Sequence, residues 1–159
     1  MALPRGTTRL LTFPYFLDLI AVVITVAVLL TLSFPAVTPP GTVMIYIAGV
    51  VALLQSVLHA AIVVFERDTG DFQLCSLKYP VLVYSSSVLV VIVYFVSIFL
   101  CINGIISTGD AAFTVAMLLC IANTIVYTVK FISYFRNWMQ EERMARTFEF
   151  APSNNYGSS

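Results

Sequence analysis

One uncharged stretch constrains this fold more than any other feature of the sequence. Residues 43–65 form an apolar run of about 23 residues, enough for a helix to cross the roughly 30 Å hydrocarbon layer of a bilayer. The run nevertheless contains Gln55 and His59, four residues apart and therefore on one helical face. A helix surrounded only by lipid has no reason to hold two polar side chains in that register. The stretch is therefore predicted to pack against partner helices.

Three further apolar runs supply those partners, at residues 13–34, 81–102 and 111–134. The run at 81–102 is rich in Val and Ile, but a run of this length in lipid must satisfy its own backbone and is therefore helical. Only 10% of the residues are charged, against about 25% in soluble proteins. Basic and acidic residues cancel, so nothing in the overall charge attracts nucleic acid. The sequence predicts one all-α integral membrane protein with the lipid bilayer as its main partner.

The distribution of basic residues sets the predicted orientation. The loops at 35–41 and 103–110 contain no Lys or Arg, and Gly104 and Gly109 are interpreted as helix breakers in the second of them. The seven basic residues outside the apolar runs lie before the first run, between the second and third, and after the fourth: Arg5, Arg9, Arg67, Lys78, Arg136, Arg143 and Arg146. The positive-inside rule then places both termini and the middle loop in the cytoplasm.

Short loops force neighbouring spans to be antiparallel, which predicts an up-down four-helix transmembrane bundle with a short cytoplasmic juxtamembrane helix. Residues 1–12 form the cytoplasmic N-terminus in this prediction. Residues 13–147 form the transmembrane domain with its juxtamembrane extension, and residues 148–159 form a disordered cytoplasmic tail.

Four polar residues are predicted to meet in the inner half of the bundle: Asp18, Gln55, His59 and Lys130. A lone charge at a helix centre costs roughly 2.5–3.5 kcal/mol on insertion scales, so an Asp18–Lys130 pair is expected, with His59 or Gln55 adding a hydrogen bond. Two interpretations remain open. The residues fix helix register while Lys130 extends to the headgroups. Alternatively, they form a proton or ion path.

Two candidate sites lie at the cytoplasmic surface. Cys75, in the middle loop, is either a palmitoylation site or an ordinary reduced thiol. Phe135, Trp138 and Met139 lie at helical spacing against charged residues, which predicts an amphipathic helix that lies on the inner leaflet or offers a docking face. The mixed charges of this segment argue against a strong lipid-headgroup site, which would be mainly basic.

Catalytic and metal-binding motifs are missing from the sequence. It contains no H-E-x-x-H, no G-x-S-x-G and no phosphate-binding glycine loop. One histidine and three widely spaced cysteines give no zinc-ligand spacing. We therefore expect no enzymatic activity, no cofactor and no metal.

The chain has four predicted spans and two short outer loops. A TRLL motif at Thr8–Leu11 leads directly into the first span. The chain resembles small MARVEL-type tetraspan proteins. The resemblance implies a membrane-organising role in vesicle traffic, junction assembly or membrane domains, at the plasma membrane or on endomembrane vesicles. Partners, or further copies of the chain, would bind through helix faces. The other prediction is a small transporter or an auxiliary subunit of a channel or transporter that uses the polar cluster. A hydrated inner cavity would favour transport, and a dry, closed bundle would favour the scaffold.

Overall fold

The computed structural model describes residues 13, 15–35, 37–64, 73–74 and 77–149. The described chain is helical except for turns and two paired strands of two residues each. The helices are α1 (Phe16–Thr31), α2 (Thr42–Val64), α3 (Tyr79–Thr108) and α4 (Ala111–Glu149), and the strands are β1 (Gln73–Leu74) and β2 (Leu77–Lys78). The strands pair antiparallel between α2 and α3. They were not predicted from the sequence.

Helices α2, α3 and α4 are each long and apolar enough to cross a membrane, whereas α1 has 16 residues. Apolar helices of this length indicate a membrane protein. The α-helix of the first run is shorter than the predicted 13–34, since the backbone N–H groups of Ser33 and Phe34 donate to Leu30 and Thr31 in tight turns. Pro35 accounts for this ending, because the residue before a proline avoids the helical conformation.

The predicted loop at 103–110 is wrong in its extent. Helix α3 continues to Thr108, and only Gly109 and Asp110 separate it from α4. Gly109, with φ +66°, provides the left-handed conformation that ends the helix. Gly104 is helical instead, and a Cβ at this position would lie 2.7 Å from a ring carbon of Phe113. This glycine therefore allows α3 and α4 to approach closely and does not break the helix.

Helix α4 is a single helix of 39 residues, which confirms the predicted continuation past residue 134. The predicted start of the disordered tail at 148 is wrong, because the helix includes residues 148 and 149. The N-terminal segment 1–12, Cys75 and residues 150–159 lie outside the described residues, so the predictions made for them stay predictions.

The four helices pack in a ring in which α1 and α3 each contact both α2 and α4. Each helix runs antiparallel to its neighbours. Tyr46, near the start of α2, lies 3.3 Å from Ser33, just beyond the end of α1, measured between the two hydroxyl oxygens. Asp18, early in α1, contacts Lys130, late in α4.

Each helix buries one seam, defined as a line of residues spaced alternately three and four apart. On α4 the seam consists of Phe113, Ala116, Cys120, Asn123, Tyr127, Lys130 and Tyr134, and α1, α2 and α3 repeat the spacing from Asp18, Thr42 and Val83. This is the heptad spacing of left-handed helix bundles. The seams contain all nine buried polar or charged side chains of the described residues, while large apolar side chains, mainly Val, Leu, Ile and Phe, are exposed on all four helices. A soluble protein distributes these residue types in the opposite way.

Candidate functional site

Three ionisable side chains from three helices meet in the bundle core, and we call Asp18, His59 and Lys130 the triad. Their exposed fractions are 1%, 1% and 0%. The Nζ atom of Lys130 donates to Oδ1 of Asp18 and lies 2.8 Å from Nδ1 of His59. The histidine Nδ1 is 3.9 Å from the same carboxylate oxygen. Lys130 thus links α4 to both α1 and α2.

The distances within the triad fit a lysine ammonium group between two acceptors. An ammonium group can only donate, so Nδ1 of His59 accepts and the ring proton lies on Nε2. The ring of Tyr127 lies 5.6 Å from the ammonium nitrogen, within range of a cation–π interaction. The second oxygen of Asp18, Oδ2, is buried and accepts no hydrogen bond from the described residues. The triad is therefore a buried ion pair with a neutral imidazole beside it.

A second polar layer lies one turn along α4 from the triad. The hydroxyl of Tyr127 lies 2.6 Å from the hydroxyl oxygen of Ser56 and donates to the backbone carbonyl of Ala52 at 3.2 Å. These bonds connect α4 to α2 across the ring, so a buried tyrosine fills the centre of the bundle with its polar group satisfied.

A third polar layer lies one further turn along α4. The side-chain amide of Asn123 donates to Oγ1 of Thr25 at 2.9 Å, and that oxygen lies 3.0 Å from the hydroxyl of Tyr94. The rings of Tyr94 and Tyr127 are stacked with centroids 6.1 Å apart. Thr25 and Tyr94 therefore connect α1 and α3, which lie opposite each other in the ring.

Beyond the third layer most buried side chains are apolar, and the two buried hydroxyls there, of Thr42 and Ser97, donate to the nearby backbone carbonyls of Pro39 and Val93. The buried side chains that fill the end near the α3–α4 turn are Val28, Leu32, Ile45, Cys101, Phe113, Ala116 and Cys120. The structure also shows four surface cavities of about 230–370 Å³, and none of the four is lined by a triad residue. The polar layers thus stop part-way through the bundle.

The structure brings together three of the four residues predicted to cluster. Gln55 does not join them: its amide donates to the hydroxyl of Ser86 on α3 at 3.0 Å, and its side chain is half-buried. Gln55 lies next to the seam of α2, whereas His59 lies on it.

The predicted docking residues are partly used within the chain itself. Phe135 and Trp138 pack against Tyr84 of α3, with all three pairs of ring centroids 5.9 Å apart. Met139 is half-buried and lines two of the surface cavities. The aromatic pair therefore anchors the part of α4 that follows Tyr134 to α3, and less of this pair is available to a partner than the sequence suggested.

Sequence reasoning missed the bonding roles of Thr25, Ser56, Tyr94 and Tyr127. The signal that finds them is the heptad register, because each lies on the seam of its helix. Metal binding has no support in the described part of the chain, where no group of three or more His, Cys, Asp or Glu side chains is placed to hold an ion.

Comparisons with protein-family models, curated proteins and solved structures gave no match to this chain. The MARVEL-type resemblance therefore stays a prediction from the sequence.

Proposed function

We propose that this protein is a non-enzymatic, four-span membrane protein that organises membranes or membrane-protein partners, as a scaffold in vesicle traffic, junctions or membrane domains. Both termini lie in the cytoplasm in this proposal. The observation that carries it is the closed core. In the three layers most buried polar groups are bonded to one another or to the backbone, Asp18 Oδ2 and Asn123 Oδ1 excepted, and among the described residues the largely apolar end of the core interrupts these layers before they cross the bundle.

The exterior of the bundle supports the same proposal. Large apolar side chains are exposed on all four helices, among them Val23, Leu54, Phe95 and Leu118, each more than half exposed. In water such an apolar surface would promote aggregation, but in a bilayer it faces lipid or the helices of other proteins. Partners, or further copies of the chain, are proposed to bind through these faces.

The length of α4 provides a second contact region. Its 39 residues extend about 58 Å, nearly twice the thickness of the hydrocarbon layer. The 15 residues that follow Tyr134 extend about 22 Å past the last seam residue. In the proposed orientation this segment, which we call the α4 extension, projects into the cytoplasm and presents a docking face.

The triad favours a second candidate function, a small transporter or an auxiliary subunit of a channel or transporter. Ionisable residues within apolar spans often mark ion or proton paths. A transport cycle would have to open the apolar layer that contains Leu32 and Phe113. The direct bonds within the triad and this apolar layer make the scaffold the better-supported candidate.

Flux and partner identity separate the two candidates. Proton and cation flux is measured in liposomes that contain the purified full chain or its Asp18→Asn variant, beside protein-free liposomes. The scaffold proposal expects the flux of protein-free liposomes from both forms, and proximity labelling in cells that returns vesicle or junction components. Flux from the wild type that the variant loses, or recovery of one stoichiometric channel or transporter, overturns the scaffold in favour of the second candidate.

A further inference from the structure

One surface cavity of about 360 Å³ lies where the α4 extension leaves the bundle, and we call it the interfacial hollow. Its lining residues are Phe13, Ile132, Ser133, Arg136, Asn137 and Gln140. Phe13 and Ile132 are 67% and 46% exposed, so one part of the hollow is apolar. Arg136, Asn137 and Gln140 are exposed above it, further along the helix.

The polar side chains of the interfacial hollow are available to a ligand. Arg136, Asn137 and Gln140 make no hydrogen bond or ion pair with another described residue. The Ser133 hydroxyl is already used, because it donates to the carbonyl of Val129 at 2.8 Å. What remains is one guanidinium and two carboxamides on one stretch of helix, and none of the described residues that line the hollow carries a carboxylate.

Among the described side chains of the α4 extension, Arg136 does not share a cavity with the acidic Glu142. Arg136 lines the interfacial hollow and the adjoining cavity of about 260 Å³, which also contains Arg143. Glu142 lines a third cavity, beside Trp138 and together with Arg143. Averaged along the segment, these charges predict no strong lipid-headgroup site. That average does not describe the face that contains Arg136.

We propose that the interfacial hollow binds an anionic membrane phospholipid, with Arg136 contacting the headgroup phosphate and Asn137 and Gln140 as additional donors. A guanidinium matches a phosphate with two parallel hydrogen bonds. The inference rests on the proposed function, since it uses the proposed orientation: Arg136 lies two residues past the last seam residue and about 9 Å beyond Lys130 along the axis, at the inner headgroup level.

The apolar part of the hollow selects a lipid rather than a free phosphate. Phe13 and Ile132 lie beneath the cationic group and face the region where the acyl chains begin. A soluble anion would leave these side chains uncovered, whereas a phospholipid covers them with its hydrocarbon and presents its phosphate to Arg136.

The test measures retained lipid on the purified full-length protein by native mass spectrometry. Protein in detergent is titrated with phosphatidylserine and, separately, with phosphatidylcholine. The proposal expects preferential retention of phosphatidylserine and a loss of about fivefold in its affinity in Arg136→Gln, the effect of one basic residue near an anionic surface. Arg136→Lys is expected to retain part of the affinity, because it keeps the charge but loses the paired hydrogen bonds.

Arg143→Gln is the matched control, since it removes the same charge from the same helix two turns further out. It is expected to reduce affinity less than twofold. Equal retention of the two lipids, equal losses in the two glutamine variants, or displacement of phosphatidylserine by excess inorganic phosphate overturns the proposal. Tags at the two chain ends test the orientation separately: ends on opposite faces, or both outside, overturn the proposed topology, whatever the lipid measurement gives.

Discussion

Replacing Lys130 with methionine tests whether the triad is a buried ion pair or a loosely held surface charge. The side chain is fully buried, donates to Asp18 and lies within hydrogen-bond distance of Nδ1 of His59. Its removal leaves a carboxylate in the core without its donor, and one oxygen of that carboxylate already has no bond from the described residues. Breaking one side of a buried pair typically costs about 3–5 kcal/mol, so Lys130→Met is expected to lower the unfolding free energy by that amount.

The double variant makes this prediction quantitative. Asp18→Asn alone leaves an ammonium buried without its counter-charge and is expected to cost a similar amount. Asp18→Asn with Lys130→Met removes both charges, and what remains is the lost hydrogen bond to His59, at about 1–3 kcal/mol. The two single costs therefore exceed the double cost by at least about 3 kcal/mol, which is the coupling energy of the pair.

The assay is reversible unfolding in mixed micelles, followed by circular dichroism as the denaturing detergent is increased. Arg136→Met serves as the control, because it removes an exposed charge from the same helix and is expected to change stability by less than about 0.5 kcal/mol. A Lys130→Met variant within about 1 kcal/mol of the wild type would show that the ammonium reaches the headgroups in solution. Simple additivity of the two single variants would refute the pairing argument as well.

Three further predictions concern packing. Tyr127→Phe removes a buried hydroxyl with two partners and should cost about 1–3 kcal/mol in the same unfolding assay, and a cost near zero would contradict the second polar layer. Gly104→Ala places a methyl group against the Phe113 ring and should destabilise by about 1–3 kcal/mol, whereas the pairing of Gly104→Ala with Phe113→Leu should recover part of the loss. Tyr84→Ala uncovers the single tryptophan, so the emission of Trp138 should shift to longer wavelength, and unchanged emission would count against the aromatic contact.

Much of the fold follows from the sequence because lipid leaves a long apolar segment few alternatives to a helix. The predicted second run at 43–65 matches α2, Thr42–Val64, within one residue at each end. Gly104 was wrongly predicted to break the helix, because a glycine near the end of a span can either stop a helix or allow a second helix to approach closely. The deciding contact, with Phe113, comes from another helix.

The sequence predicted those site residues whose burial without a partner costs much free energy. It did not predict those whose burial costs little. Asp18 and Lys130 were paired from the sequence because a lone buried charge costs too much. Gln55 was grouped with His59 because residues four apart share a helical face, but the α2 seam passes through Ser56, one position along. Tyrosines carry no such penalty at an interface, so sequence reasoning gave Tyr127 no internal role.

The unbroken course of α4 connects two parts of the molecule that are otherwise far apart. No glycine or proline interrupts the helix between Ala111 and Glu149, so it has no hinge at which its two ends could move separately. Tilting the α4 extension therefore also moves the part of the helix that carries Lys130. In the proposed orientation, a cytoplasmic partner that tilts this segment would have to strain the buried contact between Lys130 and Asp18.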